Sequence, residues 1–235
     1  MTRIILASQS PRRRQLLLQI NLRFEVIPAH TDEDHNGITD PETLVCELAH
    51  EKATEVVQRV IDEKGRIESA VRHTSTLVIG ADTIVVLDGK ILGKPVDETD
   101  ARRLLKQLSG RTHSVYTGVS LVIFEQESRN STGPGISPYT LKSRTFFERT
   151  DVTFSELSDA EIAGYVAGGS PMDKAGAYGI QDDLGALFVE RIEGDYYNVV
   201  GFPLNRFYRE MKTFVEGVVS VRHETGDRRH ETSSC

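Results

Sequence analysis

Several features are scarce in this chain of 235 residues. There are two cysteines, Cys46 and Cys235. One falls in a helical pattern and the other is the last residue, which excludes a disulfide framework or a cysteine zinc site and fits a reducing compartment. Basic residues are not in excess: 28 Lys and Arg stand against 35 Asp and Glu, a formal net charge of −7. A general nucleic-acid binder has the opposite balance, so none is expected, although a few local cations suffice to hold a small anionic ligand. Long apolar runs are missing. The nearest, Thr76–Val86, is interrupted by Asp82 and falls short of the ~18 residues of a membrane span, so no membrane partner is expected. The run Ile4–Ala7 is too short for a signal-peptide core, and a cytoplasmic location is the expectation. The histidines match no metal-ligand spacing, and neither internal repeats nor low-complexity tracts occur.

What remains is a globular composition. Hydrophobic residues make up 38% of the chain, which excludes wholesale disorder. A chain of this length forms one large domain or two joined lobes and buries about 70% of its unfolded surface without staples. Ile4–Ala7 and Phe24–Ile27 read as short strands. Between them Ser10-Pro11 is a helix start, with Ser as cap and Pro at the first helical position. Asp40-Pro41 repeats that signal ahead of the stripe Leu44, Leu48, Ala49, Val56, Val60. Leu77–Ile79 and Ile84–Leu87 read as two strands, and Asp88-Gly89 as the turn of a hairpin returning through Ile91-Leu92. Asp97–Leu108 is helical, Val115–Phe124 and Thr145–Phe154 are long strands, and Ser158-Asp-Ala-Glu161 is a capping box for a helix to Ala167. A strand at Phe188–Ile192 and a helix at Leu204–Val215 follow. Glu125–Arg144, with its Asn, Ser, Thr, Gly and Pro, reads as a long loop, and Arg222–Cys235 as a loose polar tail. Hairpins mixed with crossovers predict an α/β fold with a mixed sheet and flanking helices.

Five segments carry residues suited to chemistry. In Ser8-Gln-Ser-Pro-Arg-Arg-Arg14 a strand leads into a helix whose first turn holds three arginines. Cations at the positive end of a helix dipole cost roughly 0.3–1 kcal/mol each, and a docked phosphate reverses that. The other reading pairs these arginines with Glu25 or Asp32 on the surface. In Gly80-Ala-Asp-Thr83 an Asp inside an apolar strand pattern must be paired, hydrated or metal-bound. That makes Asp82 a candidate general base or metal ligand, or else an Asp that only orders the sheet. Lys94, between Gly93 and Pro95, is held in a rigid turn without P-loop context, and Lys52 sits in a helical stretch; taken alone, both read as surface lysines. Asp32-Glu33-Asp34 is either a solvated loop or a set of carboxylates that a divalent cation would relieve. In Asp173–Gln181 and Gly194–Pro203, glycines around aromatics either let backbone approach a ligand, with the Gln181 amide able to read a base edge, or form two tight turns.

Taken in order, these segments resemble the Maf family of nucleoside triphosphate pyrophosphatases. The stretches that carry the resemblance are Ala7-Ser-Gln-Ser-Pro-Arg-Arg13, Glu51-Lys-Ala53, Ile79-Gly-Ala-Asp-Thr83, Gly93-Lys-Pro95, Leu108-Ser-Gly-Arg-Thr-His-Ser114, Asp173-Lys-Ala-Gly-Ala-Tyr-Gly-Ile-Gln181 and Asn198-Val-Val-Gly-Phe-Pro-Leu204. The similarity spans about Arg3 to Met211. It implies a mixed sheet with flanking helices bent into two lobes around a cleft, related to the inosine triphosphate pyrophosphatases. Residues 1–220 would form a single catalytic domain with a loop insertion at about 125–144, and 221–235 a disordered tail. The implied activity is hydrolysis of nucleoside triphosphates to the monophosphate and pyrophosphate, with Mg²⁺ or another divalent cation, in a homodimer. Residue by residue, Asp82 stands at the family's proton acceptor, and Ser8, Arg13, Lys52 and Lys94 at positions that hold the phosphates. Asp82, Lys52 and Lys94 are thus the implied catalytic set, and Glu33 with Asp82 the implied metal carboxylates.

Arg12, Thr83 and Gln181 match the branch that acts on dTTP and UTP; a branch acting on 7-methyl-GTP has Trp, Gln and Glu in these places. The implied role is cleaning the nucleotide pool of dTTP, UTP and modified pyrimidine nucleotides. The chain departs from the family after Gln181, where Asp182-Asp183 replace a small residue. The family's association with septum formation supplies the competing reading, a non-catalytic nucleotide-binding regulator of cell division. A pure binder needs the cations but not a carboxylate base, so the joint presence of Asp82, Lys52 and Lys94 favours the enzyme.

Overall fold

The computed structural model describes residues 2–31, 37–66, 75–126, 139–181 and 184–227. Helix starts fall where the capping side chains stand. Ser10 accepts from the Arg13 N–H at the head of α1 (Pro11–Gln19), and Asp97 accepts from the Asp100 N–H at the head of α3 (Glu98–Leu108). Ser158 and Glu161 close the capping box of α4 (Asp159–Ala167). The remaining helices are α2 (Pro41–Arg66), the short α5 (Gly185–Phe188) and α6 (Tyr196–Val200), and α7 (Leu204–Asp227). The strands are β1 (Thr2–Ala7), β2 (Glu25–Val26), β3 (Ser75–Leu87), β4 (Lys90–Leu92), β5 (Thr112–Gln126), β6 (Tyr139–Phe154) and β7 (Val189–Glu193). They form one mixed sheet in the order β2-β1-β3-β5-β6-β7, with β4 paired to β3. β2, β1 and β3 run parallel; the other pairings are antiparallel.

Alternation along β3 builds the two lobes. On one face Leu77, Ile79 and Ala81 pack with α1 and α7, and further along Val85 and Leu87 pack with α3 and α4. On the other face Val78 and then Ile84 and Val86 lie under the two ends of α2. Between these apolar sections stand Asp82 and Thr83, so the strand turns polar where the lobes meet. Two glycines let α2 lie directly on the sheet there. A Cβ at Gly80 would collide with the Ala49 carbonyl oxygen and lie 2.8 Å from the Ala53 nitrogen; one at Gly118, the β5 partner of Asp82, would collide with the Val45 carbonyl. Gly118→Ala is expected to cost about 3 kcal/mol or more, the upper end of overpacking effects, because the obstacle is backbone and no side chain can swing aside. Denaturant unfolding measures it, and a parent-like curve would show that α2 lifts off β5 without penalty.

The structure corrects the sequence reading in four places. Leu77–Ile79 and Ile84–Leu87 belong to one continuous β3, whose ladder to β5 passes unbroken through Gly80–Thr83. The segment read as the loop 125–144 is narrower, since β5 runs to Gln126 and β6 starts at Tyr139, pairing with it. Residues 140–145 are exposed, so their polar composition imitates a loop while the ladder satisfies their backbone. The last helix continues past 215 to Asp227, over the first part of the segment read as tail. Finally, α5 and α6 are one-turn helices where only strands and turns were expected.

Candidate active site

A cleft of about 850 Å³ opens where the lobes part, a volume suited to a nucleotide-sized ligand. Ser8, Arg12, Arg13, Lys52, Asp82, Thr83, Lys94 and Gln181, brought from five different stretches of chain, all line it. Glu33 and Asp182-Asp183 lie outside the described residues.

Asp82 is the centre. Its Oδ1 accepts from Lys52 Nζ at 2.6 Å, and the two side chains are only 11% and 13% exposed. Lys52 is therefore not on a solvated helix face; the close seating of α2 on Gly80 and Gly118 delivers its amine to the carboxylate. A pair this far from water is held because each charge neutralises the other. Lys94 keeps its exposed place in the turn after β4 and lines the cleft from the opposite lobe.

The arginine cluster resolves into different roles. Glu25 pairs with Arg3. Arg12 Nη1 reaches Asp173 Oδ2 at 3.0 Å, joining the two lobes across the cleft. Arg13 turns inward: Nε donates to the Gly201 carbonyl at 3.0 Å, Nη1 to the Ala81 carbonyl at 3.0 Å and to Ser8 Oγ at 3.3 Å, and Nη2 to Thr83 Oγ1 at 2.9 Å. Ser8 Oγ also accepts from the Ser10 N–H at 3.2 Å. With both lone pairs taken, its hydroxyl hydrogen is the part left to donate, which suits an anion's oxygen.

Sequence reasoning missed Lys174. It is buried, its Nζ lies 2.8 Å from Asp173 Oδ1, and it lines the cleft. The only signal was its place in the glycine-rich 173–181 segment, which points as readily to a turn. Burial is the strongest single influence on Asp173 and opposes ionisation. The hydrogen bonds and charges of Lys174 and Arg12 together outweigh it and hold the carboxyl below its usual range. Among the described residues, five cationic side chains and two carboxylates line this cleft, in a chain of net charge −7. The excess of positive charge is local, as an anionic ligand requires.

Behind the 173–181 segment, Tyr178 bonds through its hydroxyl to Nε2 of the buried His113 at 2.8 Å, and His113 meets the ring of Phe154 edge-on. Burial pushes the His113 pKa down to about 4, against a smaller upward pull from Asp151. The unfolded chain takes up this proton near pH 6.5 and the folded chain only near pH 4, so between them the unfolded state binds more protons. Stability should therefore fall by about 3 kcal/mol as pH drops from about 6.5 to 4, measured by denaturant midpoints. His113→Gln should remove that part of the slope; a slope unchanged in the variant would assign it to other groups.

The family model described as Maf-like protein matches residues 3–214. The dTTP/UTP pyrophosphatase of Agathobacter rectalis is 46% identical over 212 residues, covering 90% of this chain and 97% of that protein. That of Bacillus cytotoxicus is 44% identical over 217 residues, covering 92% and 98%, and that of Bacillus mycoides 42% over 214 residues, covering 91% and 96%. With a match running from β1 into α7 and relatives of this similarity aligned over nine-tenths of its length, the chain belongs to the Maf-like protein family.

Proposed function

We propose that this protein is a nucleoside triphosphate pyrophosphatase that acts in the cleft on dTTP, UTP and modified pyrimidine nucleotides. The observation that carries the reading is the water-shielded Lys52–Asp82 pair, set among the cleft's cations. The names of the related proteins supply the substrate class. A triphosphate brings about four negative charges, and attack at the α-phosphorus adds charge to the departing pyrophosphate. Fixed cations aimed at that charge in a site of low water content stabilise it best. Lys94, Lys174 and the Ser8 hydroxyl are the groups placed to bind the phosphate oxygens. Lys52 takes one oxygen of Asp82, and the other accepts a proton from the attacking water. The new bond joins water oxygen to the α-phosphorus, and the bond to the bridging α–β oxygen breaks. Pyrophosphate leaves with that electron pair. Arg12, Thr83 and Gln181 are the side chains proposed to select the base.

A divalent cation belongs to the same reading. Among the described residues no group of three or more His, Cys, Asp or Glu forms a complete metal cage. Mg²⁺ does not need one: it binds through one or two carboxylates together with substrate phosphates, and Asp82 offers such a carboxylate. When bound, the ion supplies phosphate-charge neutralisation and polarisation of an oxygen ligand. A homodimer and a cytoplasmic location complete the proposal; no helix among the described residues is long and apolar enough to cross a membrane.

Pyrophosphate release from a panel of triphosphates, with Mg²⁺ and with chelator, tests the whole. Release from dTTP and UTP that requires the cation, with 7-methyl-GTP much poorer, is the expected pattern. Nucleotide binding without release of pyrophosphate from any substrate would reject the enzyme in favour of a binder.

A further inference from the structure

We infer that Thr117 and Asn198, neither of which lines the cleft, are positioning residues for it: a buried chain of hydrogen bonds running Thr150–Asn198–Thr117–Thr83–Arg13 fixes the direction of the Thr83 hydroxyl and the seat of the Arg13 guanidinium. The inference rests on the cleft being the nucleotide site.

The chain is anchored at its far end by groups with a single polarity. Asn198, fully buried on α6, donates through Nδ2 to the Val115 carbonyl and to Thr150 Oγ1, both at 3.0 Å. The carbonyl of Val115 only accepts, so the amide orientation is set. Thr150 is saturated in turn, because it also accepts from the Asp195 N–H and donates to the Asp195 carbonyl. These bonds pin α6 against β5 and β6 and bring the Asn198 backbone carbonyl 3.2 Å from Thr117 Oγ1. Thr117 lies 2.9 Å from Thr83 Oγ1. A hydroxyl has one hydrogen. If Thr117 gives its hydrogen to the Asn198 carbonyl, Thr83 gives its own to Thr117. If Thr117 points to Thr83 instead, Thr83 turns to the Gly201 carbonyl, which is 3.4 Å away. Both arrangements spend the Thr83 hydrogen on the protein and leave Thr83 an acceptor for Arg13 Nη2. The shorter contacts favour the first. Thr83 therefore has no hydrogen to offer the cleft, and the guanidinium beside it is held at the end of a chain whose other end is locked by backbone.

The experiment uses the whole chain. Affinity is read as Kd for a dTTP analogue with an imido group in place of the α–β bridging oxygen, and KM and kcat are read on dTTP. Thr117→Val keeps the shape and removes the hydroxyl. It should raise Kd and KM about 5- to 10-fold, the worth of one well-placed hydrogen bond, with kcat within about twofold. Thr117→Ser should restore both. The double variant Thr83→Val/Thr117→Val should bind no worse than Thr83→Val alone, since the two act through one link. Should Thr117→Val not fold, Thr117→Cys, with its weak donor, reads the same Kd shift. Parent-like Kd in the Thr117 variant, or strictly additive losses in the double variant, overturns the inference while leaving the proposed reaction untouched. A parent that binds the analogue but releases no pyrophosphate sinks the reaction alone, and Kd still reads the chain. A parent that does not bind the analogue sinks both.

Discussion

Asp82→Asn is expected to lower dTTP turnover by at least ~10²-fold while nucleotide still binds, the low end of what a positioned general base contributes. An amide has the shape of the carboxylate but cannot take a proton from water. It still offers Lys52 an oxygen, so the 2.6 Å contact is weakened and not abolished. The Lys52 side chain, 13% exposed, loses the charge of Asp82, and a stability cost of about 2 kcal/mol should accompany the kinetic loss. Turnover must therefore be measured well below the variant's melting temperature, with the folded fraction known. A kcat close to the parent's in fully folded Asp82→Asn would remove Asp82 from the reaction.

Arg13→Ala should damage both stability and binding. From sequence, a cation at the head of a helix hurts the fold and serves the ligand, so its removal ought to touch binding far more than stability. The structure reverses half of that. The guanidinium makes four hydrogen bonds inside the protein, two of them to the backbone carbonyls of Ala81 and Gly201. At about 1 kcal/mol net for each bond, some recovered by water at this half-buried site, the loss should be about 3 kcal/mol. Affinity for dTTP should fall with it, because the wall carrying Ser8 and Thr83 loses its tie. Arg13→Lys should rescue little, since an ammonium cannot span a fork of four acceptors. Chemical denaturation and calorimetric titration read the two effects separately. An unfolding midpoint that does not move would mean these bonds add nothing beyond what water supplies.

How much was legible follows from how local each signal is. The caps at Ser10, Asp40 and Ser158 and the Asp88-Gly89 turn depend on neighbours within four residues, and the chain folds there as its sequence reads; Asp88 and Gly89 both take positive φ. The continuity of β3 was hidden because Asp82 breaks the apolar pattern at the position where the cleft needs it. α5 and α6 are too short for helical periodicity to register. In the site, the resemblance named residues that the structure does bring together, yet neither it nor the local pattern showed what holds them. Arg13 meets Gly201 across 188 residues of sequence, and Arg12 meets Asp173 across 161. Such pairings exist only once the sheet has formed. Lys174 was missed for the same reason: nothing beside it in sequence marks it as buried.

β3, β5 and β6, of 13, 15 and 16 residues, pass from one apolar section of the sheet into the next without interruption. Two lobes joined by a flexible strap would swing shut on a ligand like jaws. Lobes that share three paired strands have no such hinge, because rotation would bend every ladder at once. The width of the cleft is thus a standing dimension of the sheet, set before any ligand arrives. Discrimination among nucleotides then falls to fit against a fixed frame, and little ordering cost is due on binding.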